Sequence, residues 1–283
     1  VGGSPLMYSI GVGLADSYST ITKFDNPEGA LNNYYEGKRI GEIWGYVTDG
    51  FIQDEAEAQR MATIQGDISK TWKVGDIRYK DLDGVEGITS AKTIYNTGDQ
   101  KVIGNTTPRY SFNINASASW KGFDVRVFFE GIAKRDLWID SPVFWGFPSN
   151  SNVWQSAVND YHVDNSWSEN NTNAYYPLPS YSGRSKQTQT KYLQNGAYIR
   201  LKDLTISYTI PKAWISTVGI EQLKVFASGQ NLWVGTKLFK YLDPDIVSTR
   251  QSNSKDNKLV GNLTSDGKAY PFSRTFSFGI NLT

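Results

Sequence analysis

The chain has 283 residues, enough for one large domain or two ordinary ones, and its 29 basic and 28 acidic residues leave a net charge of +1. That balance, with no local basic run, excludes a nucleic-acid partner held by a positive field. The absence of cysteine excludes thiol chemistry, Cys-ligated zinc and a disulfide framework. Aromatic residues make up 14% of the chain and helix-favouring patterns are scarce, so the composition reads as all-β with large loops.

Six stretches alternate apolar and polar residues with the period of two that marks a strand. The first, at about 7–20, sets Ile10, Val12 and Leu14 against Gly11, Gly13 and Ala15. The second, at about 108–120, sets Phe112, Ile114, Ala116 and Ala118 against Ser111, Asn113, Asn115 and Ser117. The third, at about 123–135, sets Phe123, Val125, Val127 and Phe129 against Asp124, Arg126, Phe128 and Glu130. The fourth, at about 196–210, alternates cleanly over Leu204, Ile206, Tyr208 and Ile210. Its first half switches parity, with Ile199 and Leu201 apolar, which predicts a bulge or an exit from the apolar layer. The fifth, at about 221–234, carries Leu223, Val225 and Ala227 opposite Lys224, Ser228 and Gln230. The sixth, RTFSFGINLT at 274–283, carries Phe276, Phe278, Ile280 and Leu282 on one face.

Connection lengths alternate. Strands two and three meet at a tight turn around Lys121-Gly122, and strands four and five at a short connection beginning at Pro211, whereas 21–107, 136–195 and 235–271 are long. Compact soluble domains rarely carry unstructured loops beyond about 15 residues. Outer-membrane barrels have short periplasmic turns and long extracellular loops by construction. A tilted strand of about ten residues matches their apolar band of about 25 Å. Tyr110, Trp120, Tyr208 and Trp214 sit near the ends of these bands, as interfacial belts do. The expected fold class is therefore an all-β antiparallel transmembrane barrel segment, with a soluble sandwich as the rival. Six strands cannot close around a wet lumen, since the smallest such barrels have about eight. The remainder of the barrel is thus a required partner. VGGSPLMYS is no signal peptide. An exported protein needs one, which predicts that the chain is part of a longer precursor.

Several stretches, in this order, resemble the C-terminal part of a SusC-like TonB-dependent transporter. They are GKRIGEIWGYVTDGFIQ (37–53), YKDLDG (79–84), VIGNTTPRYSFNINASASWKGFDVRVFFEG (102–131), NGAYIRLKDLTISYTIP (195–211), SGQNLWVGTK (228–237) with DPD (243–245), and PFSRTFSFGINL (271–282). The resemblance covers almost everything from about residue 37 onward. It implies a nutrient importer of Bacteroidetes outer membranes, a plugged barrel of about 22 strands. It further implies a SusD-like surface lipoprotein as a lid, and TonB acting on an N-terminal region outside this chain. The implied cargo is oligosaccharides and, in some members, peptides. Family members usually end on an aromatic residue, so a Phe is expected just beyond Thr283.

On this reading Phe276, Phe278, Ile280 and Leu282 face outer-membrane lipid, and Asp124, Arg126, Glu130 and Lys224 face the lumen. The charges belong inside because one at mid-membrane on the lipid side costs roughly 2–4 kcal/mol for Arg or Lys. Loop 136–195 contains Trp138, Trp145, Trp154, Trp167, Tyr175 and Tyr176. Three readings stay open for them: a private aromatic core, docking to the lipoprotein, or direct contact with ligand. Asp81 and Asp83 in DLDGVEG are either Ca²⁺ ligands or Asx-type turn formers. Val85 stands where relatives often carry an acidic residue. Asp243-Pro244-Asp245 reads as a turn. No other cofactor is expected.

Little points to catalysis. His162 is the lone histidine and any Ser-His-Asp triad would have to use it. No HExxH, P-loop or Rossmann fingerprint occurs. The chain is read as no enzyme. A soluble all-β carbohydrate-binding module is the alternative to transport.

Overall fold

A computed structural model describes residues 5–149, 153–216, 219–246 and 271–283, with two short strand segments at 252–253 and 259–260. One antiparallel sheet of six strands organises it. These staves are Met7–Ala15, Arg109–Trp120, Phe123–Lys134, Tyr198–Thr209, Leu223–Thr236 and Thr275–Leu282, hydrogen-bonded in chain order. The first stave stops earlier than its alternation predicts. Asp16 turns its carboxylate back to grip the Arg109 guanidinium at the head of the second stave, and the chain leaves the sheet there.

Cross-strand partners share a face of a sheet, so the register shows how the alternations combine. Val12 lies opposite Ile114, Ile114 opposite Phe129, Val125 opposite Ile206, Ile206 opposite Ala227, and Ala227 opposite Phe278. All the apolar halves therefore fall on one continuous face. Much of it is open: Ile10, Val12, Leu14, Ile206, Trp233, Phe276, Phe278, Ile280 and Leu282 are exposed.

The parity switch in the fourth stave is the expected bulge. Pairing with the third stave skips Lys202, passing from Leu201–Phe129 to Asp203–Phe128. The fifth stave answers with its own irregularity at Asn231, which sits at φ 53°. The two bulges keep Leu201 and Ile199 in the apolar layer beside Phe129 and Gly131. Lys121 (φ 47°) and Gly122 (φ 85°) both take the left-handed conformation that a two-residue hairpin turn requires.

The described parts of the three long connections are folded. All lie at the end of the sheet opposite the short turns, and together they build a cap. Short two-stranded antiparallel ladders pair Glu42–Tyr46 with Gln100–Asn105, Thr48–Phe51 with Ile77–Tyr79, and Asp136–Leu137 with Gln194–Asn195. Helix Glu55–Ile64 starts where the Asp54 side chain accepts the Glu57 N–H at 2.7 Å. One apolar core joins Ile52, Met61, Ile77 and Tyr79 of the first connection to Leu137, Phe144, Trp145, Tyr176 and Tyr192 of the second and Leu238 and Phe239 of the third. Among the described residues no helix is long and apolar enough to cross a membrane, which says nothing of strands.

Candidate functional site

The sheet face opposite the apolar one is the candidate working surface. By the same register, Asp124, Arg126, Glu130 and Lys224 all lie on it. Lys224 Nζ donates to Asp124 Oδ2 at 2.7 Å, and Ser119 Oγ donates to the other oxygen at 2.5 Å. Glu130 pairs with Lys202 at 2.9 Å. The bulge makes this contact: the extra residue lets Lys202 reach Glu130 and Asp245 Oδ2, 3.0 Å away, from one position.

Asp243-Pro244-Asp245 is a turn, with the Asp245 N–H donating to Asp243 Oδ1 at 3.0 Å. It also does what the sequence did not reveal. Asp243 takes the Arg200 guanidinium, and Asp245 accepts from Tyr198 OH at 2.9 Å and from Lys202. A three-residue turn thereby closes over the cap end of the fourth stave. The only sequence signal was the alternation of Tyr198, Arg200 and Lys202 opposite an acidic turn in the next long connection.

Asp124 and Glu130 are each neutralised by a lysine within the wall, whereas Arg126 makes no ion pair among the described residues, and apart from Arg109 the first two staves contribute small neutral groups, among them Gly13, Ser111 and Asn113. A concavity of about 510 Å³ opens between the two halves, lined by Gly13, Asn113, Phe128, Glu130 and Tyr198 among others. Such a surface presents hydroxyl and amide groups, lysine–carboxylate pairs and the Arg126 guanidinium.

The cap encloses four of the six loop aromatics. Trp138, Trp145, Trp167 and Tyr176 are buried in its core, although Trp145 also reaches the wall of a cavity of about 380 Å³. Trp145 sits 5.8 Å from Trp138 and 4.7 Å from Tyr192, and Tyr176 stacks on Tyr192 at 6.1 Å. Trp167 lies against Gly75, which holds φ 85° and where a Cβ would come within 2.3 Å of the indole. Tyr175 is half-buried, with its hydroxyl accepting from Gln194 Nε2 at 3.0 Å. Trp154 alone stands free, 93% exposed. Of the three readings left open, the private core accounts for the buried four.

Polar residues clasp the cap from within. Asp76, fully buried, accepts from Arg184 Nε at 2.6 Å, from Ser185 Oγ at 2.9 Å and from the Lys73 N–H at 2.8 Å, joining the first long connection to the second. Lys186 Nζ donates to the carbonyls of Phe147, Pro148 and Ser180 at 2.7–3.1 Å, and burial pushes its ammonium down to about 8.

His162 is buried and fully occupied. Its Nδ1 accepts the Asn159 N–H at 3.3 Å, completing a capping box on helix Asp160–Asn165, and its Nε2 donates to the Phe144 carbonyl at 3.0 Å. Burial holds the imidazole below its ordinary range. A ring with both nitrogens committed to backbone serves no nucleophile, so the sole histidine forms no triad.

In DLDGVEG, Asp81 Oδ1 accepts the Gly84 N–H at 2.7 Å and Asp83 Oδ1 the Val85 N–H at 2.8 Å. Buried Asp99 lies within 4.8 Å of both and accepts the N–H groups of Leu82 and Thr89, each at 2.7 Å. The Asp81 and Asp83 bonds are turn-forming ones, and with Asp99 the three carboxylates also lie near enough to share one cation.

No family model matches the chain. It is similar to TonB-dependent receptor P3 of Formosa agariphila, 30% identical over 247 residues, which is 87% of this chain and 22% of the receptor. It is also 26% identical to TonB-dependent receptor P26 of the same organism, over 74% of this chain and 20% of that protein. The chain thus spans about a fifth of the length of the curated relatives it matches. Its fold matches two solved structures of the RagAB peptide importer. In the closed-closed state the TM-score is 0.64 at 20% identity, over 100% of this chain and 28% of that one. In the open-open state it is 0.63 at 18% identity, over 98% and 26%.

Proposed function

We propose a function from one premise: the chain is a barrel-wall segment of a SusC-like TonB-dependent transporter. The whole protein works in the outer membrane and imports nutrient oligomers when TonB supplies energy. This segment contributes six staves and much of the extracellular cap. The observation that carries the reading is the sheet itself, one face apolar and open, the other polar, with the described parts of all three long connections at the same end. A soluble module of this size would cover Phe276, Phe278, Ile280 and Leu282, since each buried side chain of that kind stabilises a fold by about 1.5–3 kcal/mol. Lipid offers those side chains the same escape from water.

On this reading the apolar face meets lipid, and Asp124, Arg126, Glu130 and Lys224 face the lumen, where oligosaccharides or peptides pass neutral groups, lysine–carboxylate pairs and the Arg126 guanidinium. A SusD-like lipoprotein closes on the cap, with Trp154 as the aromatic free to meet it.

The test uses the full-length protein in its own cells. Deleting it should abolish uptake of the labelled oligomer it carries, and so should dissipating the inner-membrane energy that drives TonB. Uptake of labelled oligosaccharides and oligopeptides at the parental rate after deletion would overturn the import reading.

A further inference from the structure

The end of the sheet opposite the cap carries a chemistry of its own. There the two short connections lie side by side: the Lys121-Gly122 turn, and the segment that runs from Ile210 into helix Lys212–Ile215. The Thr209 N–H joins them, donating to the Gly122 carbonyl at 2.8 Å. An open groove of about 440 Å³ runs between them, lined by Lys121, Thr209, Pro211, Lys212, Glu221 and Gln222 among others. Lys121 and Lys212 are both exposed and make no ion pair among the described residues, and Glu221 is the single acid of the groove. The Lys121 ammonium rides 4.7 Å over the exposed Trp120 ring. Trp120 pairs across the turn with Phe123, and the Phe123 ring lies 4.4 Å from that of Tyr208, so an aromatic rim borders the apolar face just below the lysines. Trp214, on the short helix, is 72% exposed.

Aromatic rings favour the headgroup level of a bilayer, and long basic side chains reach from there to phosphate. We propose that this groove binds the phosphate of an anionic phospholipid. Lys121 and Lys212 take the phosphate oxygens, and the acyl chains lie on Trp120, Phe123 and Trp214. The excess of two ammoniums over one carboxylate supplies the charge complementarity. The exposed aromatics beside them select a lipid over free phosphate. The site rests on the reading that the apolar face meets lipid.

Native mass spectrometry of the full-length transporter, purified in detergent and offered equimolar phosphatidylglycerol and phosphatidylcholine, tests it. The wild type should retain phosphatidylglycerol in preference. Lys121→Gln and Lys212→Gln, both at exposed positions, should each lower that retention about fivefold, as expected for about 1 kcal/mol per lysine near a charged headgroup. Lys101→Gln, in the cap, should leave it unchanged. Equal retention by the double variant K121Q/K212Q, or displacement of the lipid by inorganic phosphate at the same concentration, would overturn the site. A fluorophore on Phe278→Cys, challenged with brominated phospholipid, separates the premise from the proposal. Without quenching the lipid-facing reading has failed, and with quenching but no headgroup preference only the lysine site has.

Discussion

Phe144 and Phe278 are the same side chain in opposite settings. Phe144 is fully buried in the cap, with Trp145 at 5.1 Å, Phe239 at 5.3 Å and Tyr176 at 5.6 Å around it. Phe278 stands 82% exposed on a strand whose other residues on that face, Phe276, Ile280 and Leu282, are exposed as well. The cap solves the hydrophobic problem within the protein, by bringing three separate connections onto one core. The sheet leaves it to the surroundings. Aromatic content alone therefore assigns no role. What matters is whether the chain supplies the partner surface or the membrane does.

The largest expected effect lies in the clasp of the cap. Asp76→Ala leaves Arg184 buried and unpaired, and removing one partner of a buried pair costs roughly 3–5 kcal/mol. Hydrogen exchange on the intact receptor should show 21–107 and 136–195 opening while the staves stay protected. Wild-type exchange in both connections would mean that the cap does not depend on this clasp.

The sheet is tested next, by a pair of neighbours. Phe278→Arg puts a charge on the apolar face and should reduce membrane-assembled receptor by the equivalent of about 2–4 kcal/mol, whereas Ser277→Arg, on the other face, should assemble nearly as well as wild type. Equal yields of heat-modifiable barrel from the two variants would break the contrast between the faces.

A smaller effect follows from His162. The folded ring resists protonation, so below about pH 6.5 the unfolded chain takes up a proton that the folded one refuses, and stability falls with falling pH. Protease resistance of the cap should therefore decline between pH 7 and pH 5, and His162→Gln should flatten that slope. An unchanged slope in the variant would place the sensitive group elsewhere.

The smallest concerns Tyr176, whose buried hydroxyl finds no hydrogen-bond partner among the described residues. Tyr176→Phe removes an unsatisfied group and should leave cap stability unchanged or raise it by up to about 1 kcal/mol. Tyr192→Phe, which loses a 2.8 Å bond to the Tyr175 carbonyl, should lower it. A thermal melt that ranks the two the other way would show that Tyr176 has the better-satisfied hydroxyl.

Much of the sheet was legible in the sequence, because a strand writes its two faces into alternate residues and the reader needs no knowledge of its neighbours. The staves at 109–120, 123–134 and 275–282 fall within a residue or so of their predicted bounds. Even the bulge at Lys202 showed as a change of parity. The first stave ends at Ala15, short of the 7–20 that alternation predicts, because the pair of Asp16 and Arg109 turns the chain away.

The sequence by itself thus determined the strands, their order of connection, the sidedness of the sheet and the resemblance to a transporter family. All of these depend on residues near one another in the chain. Only the tertiary structure decided which loop aromatics are core and which are free. Trp145 and Trp154 occupy similar local contexts, yet one is enclosed by Trp138, Phe144 and Tyr192 and the other meets solvent. Likewise Asp76 meets Arg184, and Asp243 meets Arg200, across long spans of chain. Burial in a loop depends on what the rest of the molecule brings to it, and no local period in the sequence encodes that meeting.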